Sequence, residues 1–377
     1  MPTPAPLRAA CALTLLAAPR AWAQSCEGWG APEATLLPAD VKTDESSGLA
    51  ASRTRPGVFF THDDSGGEAR VEAFTPTIEE DTNSIEDVTF IDWEDMAAAP
   101  CPDDPALHCL YIGDIGDNLR LRPFITVHVI REPARNADAA HVATWHLRYP
   151  EGPQDSESLL VHPKTGQLTL ITKSEDGVCG VYDAPMGELR DLSGVELTTD
   201  DIPLLERQGT LVIDGDSNSD RMTTGAAYTA DGTALVVRTY GQVLVWRTPT
   251  CEPGAWFSGA PLQLIAPPDG QGEAVTFDLE GKLWTTSEGE PMPLTALPCA
   301  GPIAADTTAC DWRWTADQAA DGGGGDGGGG EGEDDADDGE DTDKGGGGCA
   351  TSGPRRLGLG ALIGAVALLA GARLRRR

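Results

Sequence analysis

Positive charge is scarce in this chain: Lys and Arg number 27 against 60 Asp and Glu, for a formal net charge of −33. Nucleic-acid binding needs basic patches that contact phosphates, so this balance speaks against a nucleic-acid partner. The few cations are also unevenly placed. Arg8 and Arg20 stand near the start and Arg355, Arg356, Arg373, Arg375, Arg376 and Arg377 at the end, which leaves the middle of the chain strongly acidic. Such a surface keeps an exported protein soluble and attracts divalent cations. Familiar catalytic phrases are missing as well, since no GxSxG, HExxH, Walker or Rossmann pattern occurs in a usable setting. Asp214-Gly215-Asp216-Ser217-Asn218-Ser219-Asp220 opens like a calcium loop, but Ser219 and Gly225 stand where an EF-hand needs Gly and Glu. It reads as an Asp/Asn turn. None of the nine cysteines has CxxC spacing, which excludes the common zinc and redox motifs.

Long apolar runs are absent too, and each of the two short ones carries the marks of a targeting segment. Ala9 to Ala18 follows Arg8 and leads to Ala21-Trp22-Ala23, the small-x-small pattern of a signal-peptidase site. Residues 1–23 are therefore expected to be a signal peptide, with Gln24 as the mature N-terminus. Leu357 to Ala372 lies between two arginine clusters. As a helix it spans about 24 Å, short of a hydrocarbon core of roughly 30 Å, although flanking arginines can snorkel. The positive-inside rule leaves the rest of the chain outside. Between these ends, residues 317–348 are almost all Gly, Asp and Glu, with nothing to bury, and are expected to form a disordered linker. A flexible chain of that length reaches roughly 30 Å.

Loss of Cys11 with the signal leaves eight cysteines for an oxidising compartment, where disulfides are the default. Cys101 and Cys109 close a short Pro/Asp-rich loop and form the best candidate pair. Cys26, Cys179, Cys251, Cys299 and Cys310 cannot be paired from spacing, and Cys349 stands apart in the tail.

Residues 24–316 show little helical periodicity and many short β-branched runs ended by Gly, Pro, Asp or Asn, which points to an all-β fold of hairpins. One phrase recurs: a polar residue, an apolar strand, a turn, and a second strand ending in a polar loop. It starts at Ser47, Glu94, Glu157, Thr224 and Glu273, with spacings of 47, 63, 67 and 49 residues. These suit the four-stranded blades of a five-bladed β-propeller. Ala34 to Pro38 is expected to complete the last blade and close the ring. A six-bladed ring, with a further blade between Val181 and Ile213, is the alternative.

In a propeller the innermost strands surround the axis, so Ser47, Glu94, Glu157, Thr224 and Glu273 should converge in the channel. Three carboxylates there repel one another unless protonated or neutralised by a cation. Hard oxygen ligands of this kind suit calcium. A second set of residues falls where the second strands end, on one rim of the channel: His62, Asp64, Asp114, Asp117, Asn118, Lys173, Arg238 and Glu288, with Asp63 and Ser287 beside them. Acids next to a lysine and an arginine could hold a metal and a phosphate or a polar glycan; turn caps and salt bridges between blades have the same composition.

The Ser, Glu, Glu, Thr, Glu column resembles the calcium site of the five-bladed calcium-activated nucleotidases, the apyrases. That likeness implies a calcium-dependent phosphohydrolase, apyrase- or phytase-like, as an alternative activity. The phrases Asp92-Trp93-Glu94-Asp95-Met96-Ala97, Ile112-Gly113-Asp114-Ile115-Gly116-Asp117-Asn118 and Gln271-Gly272-Glu273-Ala274 resemble secreted bacterial propellers of unassigned activity. The segment 349–377 resembles the sorting tail of myxobacterial surface proteins, which implies attachment through Cys349 after removal of the helix. A retained single-pass anchor is the simpler alternative. The expectation is a monomeric, surface-anchored binding or scaffolding propeller, stabilised by axial calcium, for an extracellular ligand.

Overall fold

The computed structural model describes residues 25–303 apart from 44, 66–67, 87, 89, 196–197, 248–258 and 269–270. The signal segment 1–23, the linker 317–348, the anchor segment 349–377 with its helix 357–372, and Cys251, Cys310 and Cys349 lie outside the described residues. Among the described residues no helix is long and apolar enough to cross a membrane.

Each recurring phrase becomes the two inner strands of a blade, because a β-branched apolar run ended by a glycine turn folds back on itself. The chain enters as β1 (Ser25–Cys26). The first blade is β2 (Ser46–Ala51), β3 (Phe59–Asp63), β4 (Arg70–Phe74) and β5 (Glu79–Ser84). The second is β6 (Trp93–Pro100), β7 (His108–Asp114), β8 (Ile125–Arg131) and β9 (His141–Leu147). The third is β10 (Ser156–Val161), β11 (Leu168–Thr172), β12 (Val178–Asp183) and β13 (Glu206–Val212). After a one-turn helix, α1 (Asn218–Arg221), the fourth is β14 (Thr223–Tyr228), β15 (Ala234–Thr239), β16 (Val243–Arg247) and β17 (Leu262–Leu264). The fifth is β18 (Gly272–Phe277), β19 (Leu283–Ser287) and β20 (Leu294–Leu297), and the described chain ends in β21 (Pro302–Ile303). Within every blade the strands pair antiparallel in sequence order. The inner strands β2, β6, β10, β14 and β18 pack side by side in a closed ring.

The protein is thus a five-bladed β-propeller. The six-bladed alternative fails because the segment from Val181 to Ile213 supplies only the last two strands of the third blade, with β13 paired to β12. The Asp214–Asp220 stretch is a turn into α1, where Ser217 caps the helix and Asp220 bonds back to it.

Burial follows distance from the axis. Inner strands contact a blade on each face, so β2 (SSGLAA) and β10 (SESLLV) are buried throughout, whereas the outermost β13 (ERQGTLV) is mostly exposed. Strand alternation then sends successive side chains to opposite neighbours. On β7, Tyr111 packs toward the third blade with Trp145 and Leu170, while Leu110 and Ile112 pack toward the first with Phe60 and Trp93. Similar apolar layers fill the remaining gaps between blades, so the core is five wedges around a polar centre.

Ring closure uses the N-terminus, and over a longer stretch than Ala34 to Pro38. Backbone bonds run from Glu27 N to Gly301 O (2.8 Å), Gly30 N to Pro298 O (2.9 Å), Glu33 N to Ala296 O (2.8 Å) and Leu36 N to Leu294 O (2.8 Å), which gives β20 an outer partner. β1 pairs with β21. A disulfide between Cys26 and Cys299, a pair that spacing alone leaves open, staples this seam. The Trp29 indole donates to the Gly281 carbonyl (3.0 Å) from a turn in which Gly281 has φ +77°, a conformation that favours glycine. The expected Cys101–Cys109 disulfide closes the β6–β7 loop, and Cys179 is a buried free thiol.

Candidate metal centre

All five inner hairpins carry a bulge at the same level. The pairing skips one residue between Ser46 and Gly48, between Trp93 and Asp95, between Ser156 and Ser158 and between Thr223 and Gly225, and it shifts again between Gly272 and Val275. The skipped residues are Ser47, Glu94, Glu157 and Thr224, and the fifth shift spans Glu273. A bulge re-aims a side chain that the ladder would otherwise hold to one face. The five members of the repeated column are thereby brought to one mouth of the channel, and all five are buried.

They do not play equal parts there. Ser47 Oγ donates to the Glu94 carbonyl (2.7 Å) and lies 3.4 Å from Glu94 Oε2, while Thr224 Oγ1 donates to the Gly272 carbonyl (2.8 Å). Each hydroxyl rivets its own inner strand to the next. Glu157 forms a buried ion pair with Lys173, whose Nζ also donates to Tyr240 Oη (2.8 Å). Burial works against the Lys173 charge, but Glu157, Tyr240 and Glu94 outweigh it and hold the ammonium protonated. Burial, reinforced by Glu157, Asp64 and Asp92, pushes the Glu94 carboxyl well above the usual carboxylate range. Glu273 is pushed the same way by burial and by Glu157, with Lys173 opposing.

Two carboxylates outside the repeated column, and missed by a reading of that column alone, complete the mouth. Asp92 and Asp155 each precede a column residue by two positions. One oxygen from each of Asp64, Asp92 and Glu94 lies within 4.8 Å of the others, and the same holds for Glu94, Asp155 and Glu157. The second group has a resident cation in Lys173. In the first group Glu94 is 3% exposed, and its Oε1 is out of solvent with no hydrogen-bond donor in reach. Gly116 makes room for this convergence: a Cβ there would fall 2.2 Å from Glu94 Oε1 and 2.5 Å from Asp92 Oδ2.

The remaining rim residues mostly hold this arrangement in place. Asp114 forms a buried ion pair with Arg122 (2.7 Å) and accepts the backbone N–H groups of Ile91 (3.3 Å) and Asp92 (3.2 Å). Arg122 also donates to the carbonyls of Gly116 (2.8 Å) and Asp114 (3.0 Å). Asp117 accepts Leu121 N and Arg122 N, both at 2.8 Å, and its own N–H donates to Asp155 Oδ1 (2.9 Å). The loop facing Glu94 is therefore pinned, with Asn118 exposed on its outer side. His62 is buried between Gly48 and Trp93, its ring edge-on to the indole at 5.4 Å, and Nδ1 bonds the Asp63 carbonyl (2.9 Å). Arg238 is buried behind Gly272, where a Cβ would fall 1.8 Å from Nη2. Glu288 is half-buried and adds negative potential at Glu273.

Directly after Glu94, Asp95 crosses the axis. Its Oδ2 accepts Leu159 N (2.8 Å) on β10 and Ala226 N (2.9 Å) on β14, and Oδ1 accepts Met96 N (2.8 Å). Inner strands leave their axial edge unpaired, so this one carboxylate satisfies N–H groups of three blades. Burial nevertheless pushes its carboxyl well up, against the pull of those donors.

No family model matches the sequence, and no curated protein does. Among solved structures the chain is similar to a PQQ-bound aldose sugar dehydrogenase from Streptomyces coelicolor, with 10% identity over 73% of this chain and 98% of that one, at a TM-score of 0.38. It is also similar to a gluconolactonase from Xanthomonas campestris, with 15% identity over 74% and 91% of the two chains, at a TM-score of 0.37. At such identity and overlap neither brings its chemistry to this chain.

Proposed function

We propose that the protein is an exported, surface-tethered propeller that binds one calcium ion at the channel mouth and holds an extracellular ligand on the same rim. The observation that carries this reading is Glu94 Oε1: a buried carboxylate oxygen without a donor, beside Asp64 and Asp92, in a space that Gly116 leaves open. Like charges this close are costly unless a proton or a cation intervenes. Glu157 has Lys173 for that purpose, and Asp155 accepts the Asp117 N–H, so we place the ion with Asp64, Asp92 and Glu94. Three carboxylates supply half or fewer of the six to eight oxygens that calcium takes, and the rest fall to water, carbonyls or a ligand's own oxygens. An oxygen-rich anionic ligand, such as an acidic glycan, suits those further places in the coordination shell.

The phosphohydrolase alternative would use the same ion to polarise a phosphoryl oxygen, and it also needs a base or nucleophile. His62, the histidine nearest this mouth in the repeat, is buried with its Nδ1 bound to backbone, which favours binding over turnover.

The test is calorimetric titration of calcium into the purified, chelator-treated chain, alongside thermal melts. Wild type should bind one equivalent and gain about 2.7 kcal/mol of stability at a calcium concentration 100 times Kd. Glu94→Gln should lose most of that gain while remaining folded, since it removes one charge from a crowded group. An unchanged titration in Glu94→Gln would remove the ion from this site. Calcium-dependent phosphate release from nucleotides or phytate would replace the binding role with the hydrolytic one.

A further inference from the structure

All five inner strands run from the carboxylate mouth toward the opposite face, and what they leave there is a second cavity of quite different character. It has a volume of about 410 Å³ and is lined from every blade. Arg53 and Pro56 follow β2, Ala98 to Pro100 end β6, Pro163 follows β10, Ala230 follows β14 and Leu279 follows β18. Its walls are mostly alanine, proline and leucine, joined by Thr54, with Arg53 as the charged side chain. His108 also lines it, and burial pulls that imidazole's pKa down, so it stays neutral near pH 7.

Arg53 is poorly matched in its own surroundings. Nε donates to the Ala98 carbonyl (3.2 Å), whereas Nη1 is out of solvent and has no acceptor. The neighbouring carboxylate is already committed. Glu132 accepts Arg53 N (2.9 Å), Ser52 Oγ (2.6 Å), Thr54 N (3.2 Å) and Thr54 Oγ1. Glu132 and Asp278 thus act on the guanidinium only at longer range, and no acid of the described residues forms an ion pair with it. A guanidinium stays charged at any physiological pH, and leaving its N–H groups unmatched is costly.

We propose that this far mouth is a second binding site, for a small organic carboxylate with an apolar body. The planar fork of a guanidinium fits one carboxylate, and the alanine, proline and leucine walls fit a hydrocarbon or aromatic body. A cavity of this volume is in the range of small-molecule sites. A phosphate or polyanion fits poorly, because one cation and apolar walls cannot satisfy its further charges and acceptors. The site is separate from the calcium reading, since Asp95 and the inner strands lie between the two mouths.

Fluorine NMR titration of 4-fluorobenzoate into the purified full chain tests it, with 4-fluorobenzyl alcohol as the neutral analogue. The benzoate should bind saturably with Kd on the order of 1 mM, as a good ligand of ten heavy atoms does, and the alcohol at least about tenfold more weakly. Arg53→Gln should weaken the benzoate about tenfold, Leu279→Trp should block it by filling the cavity with Arg53 intact, and Glu94→Gln should leave it unchanged. Should Arg53→Gln fail to fold, Leu279→Trp decides alone. Absence of saturation, equal binding of acid and alcohol, or wild-type affinity in either cavity variant overturns the proposal.

Discussion

Opening the ring at its seam should be the most damaging covalent change available in the propeller. The Cys26–Cys299 bond joins residues 273 apart, whereas Cys101–Cys109 spans only 8. Loop-closure entropy grows with the logarithm of loop length, so the two bonds constrain the unfolded chain by about 5.6 and about 2.5 kcal/mol respectively. The seam bond also holds β1 against β21 and keeps Trp29 on the Gly281 carbonyl, contacts that join the first described strand to the last blade. Urea unfolding of Cys26→Ala/Cys299→Ala and of Cys101→Ala/Cys109→Ala, both in chelator so that bound ions do not contribute, measures the difference. With an m-value of about 3 kcal/mol/M the seam variant should lose about 2 M in midpoint and the loop variant less than about 1 M. Equal midpoints, or a smaller loss in the seam variant, would refute the reasoning. They would mean that strand pairing along β20 closes the ring by itself.

Replacing Asp95 with Ala should cost roughly 3–5 kcal/mol, because three backbone N–H groups lose their acceptor in a buried place; a melt within a few degrees of wild type would contradict that. Gly116→Ala should leave the apo melt nearly unchanged but weaken calcium about tenfold or more by titration, since the new Cβ would meet the ends of Glu94 and Asp92. His162 gives a pH signature away from the carboxylate mouth. Burial, with Lys164 adding to it, lowers its pKa to about 4 from 6.5, and Nδ1 accepts Thr165 N at 3.1 Å. The folded state therefore takes up its proton later than the unfolded state. The associated stability is complete above pH 6.5 and is lost as the pH falls toward 4, by roughly 3 kcal/mol in all. The fall in urea midpoint from pH 7 to pH 4.5 should be smaller in His162→Gln than in wild type, and parallel curves would show that the imidazole is not the titrating group.

Much of this architecture is written locally. Strand-turn-strand phrases with Asp231-Gly232 or Glu280-Gly281 at the turn mark hairpins wherever they occur, and their five repetitions set the blade count. The column of Ser47, Glu94, Glu157, Thr224 and Glu273 was legible for the same reason: equivalent positions in a repeat meet at the axis. Asp92 and Asp155 could have been found as well, since Asp-x-Glu occurs at 92–94 and again at 155–157 in the same place of two blades.

Other features exist only because the ring closes. Asp95 looks like any acid on a strand until the inner edges of β10 and β14 face it across the axis and bring it the N–H groups of Leu159 and Ala226. Lys173 is a strand-end lysine in sequence, yet in the folded ring its ammonium lies in a buried ion pair with Glu157 on the neighbouring strand. The Cys26–Cys299 bond joins the two ends of the circle, a contact that no spacing rule encodes. Local pattern determined the hairpins, their number and their polar inner column, because turns and strand alternation depend on near neighbours. The division of charge at one mouth, the cavity at the other and the seam between first and last strands were decided by tertiary structure, because each joins groups far apart in the chain.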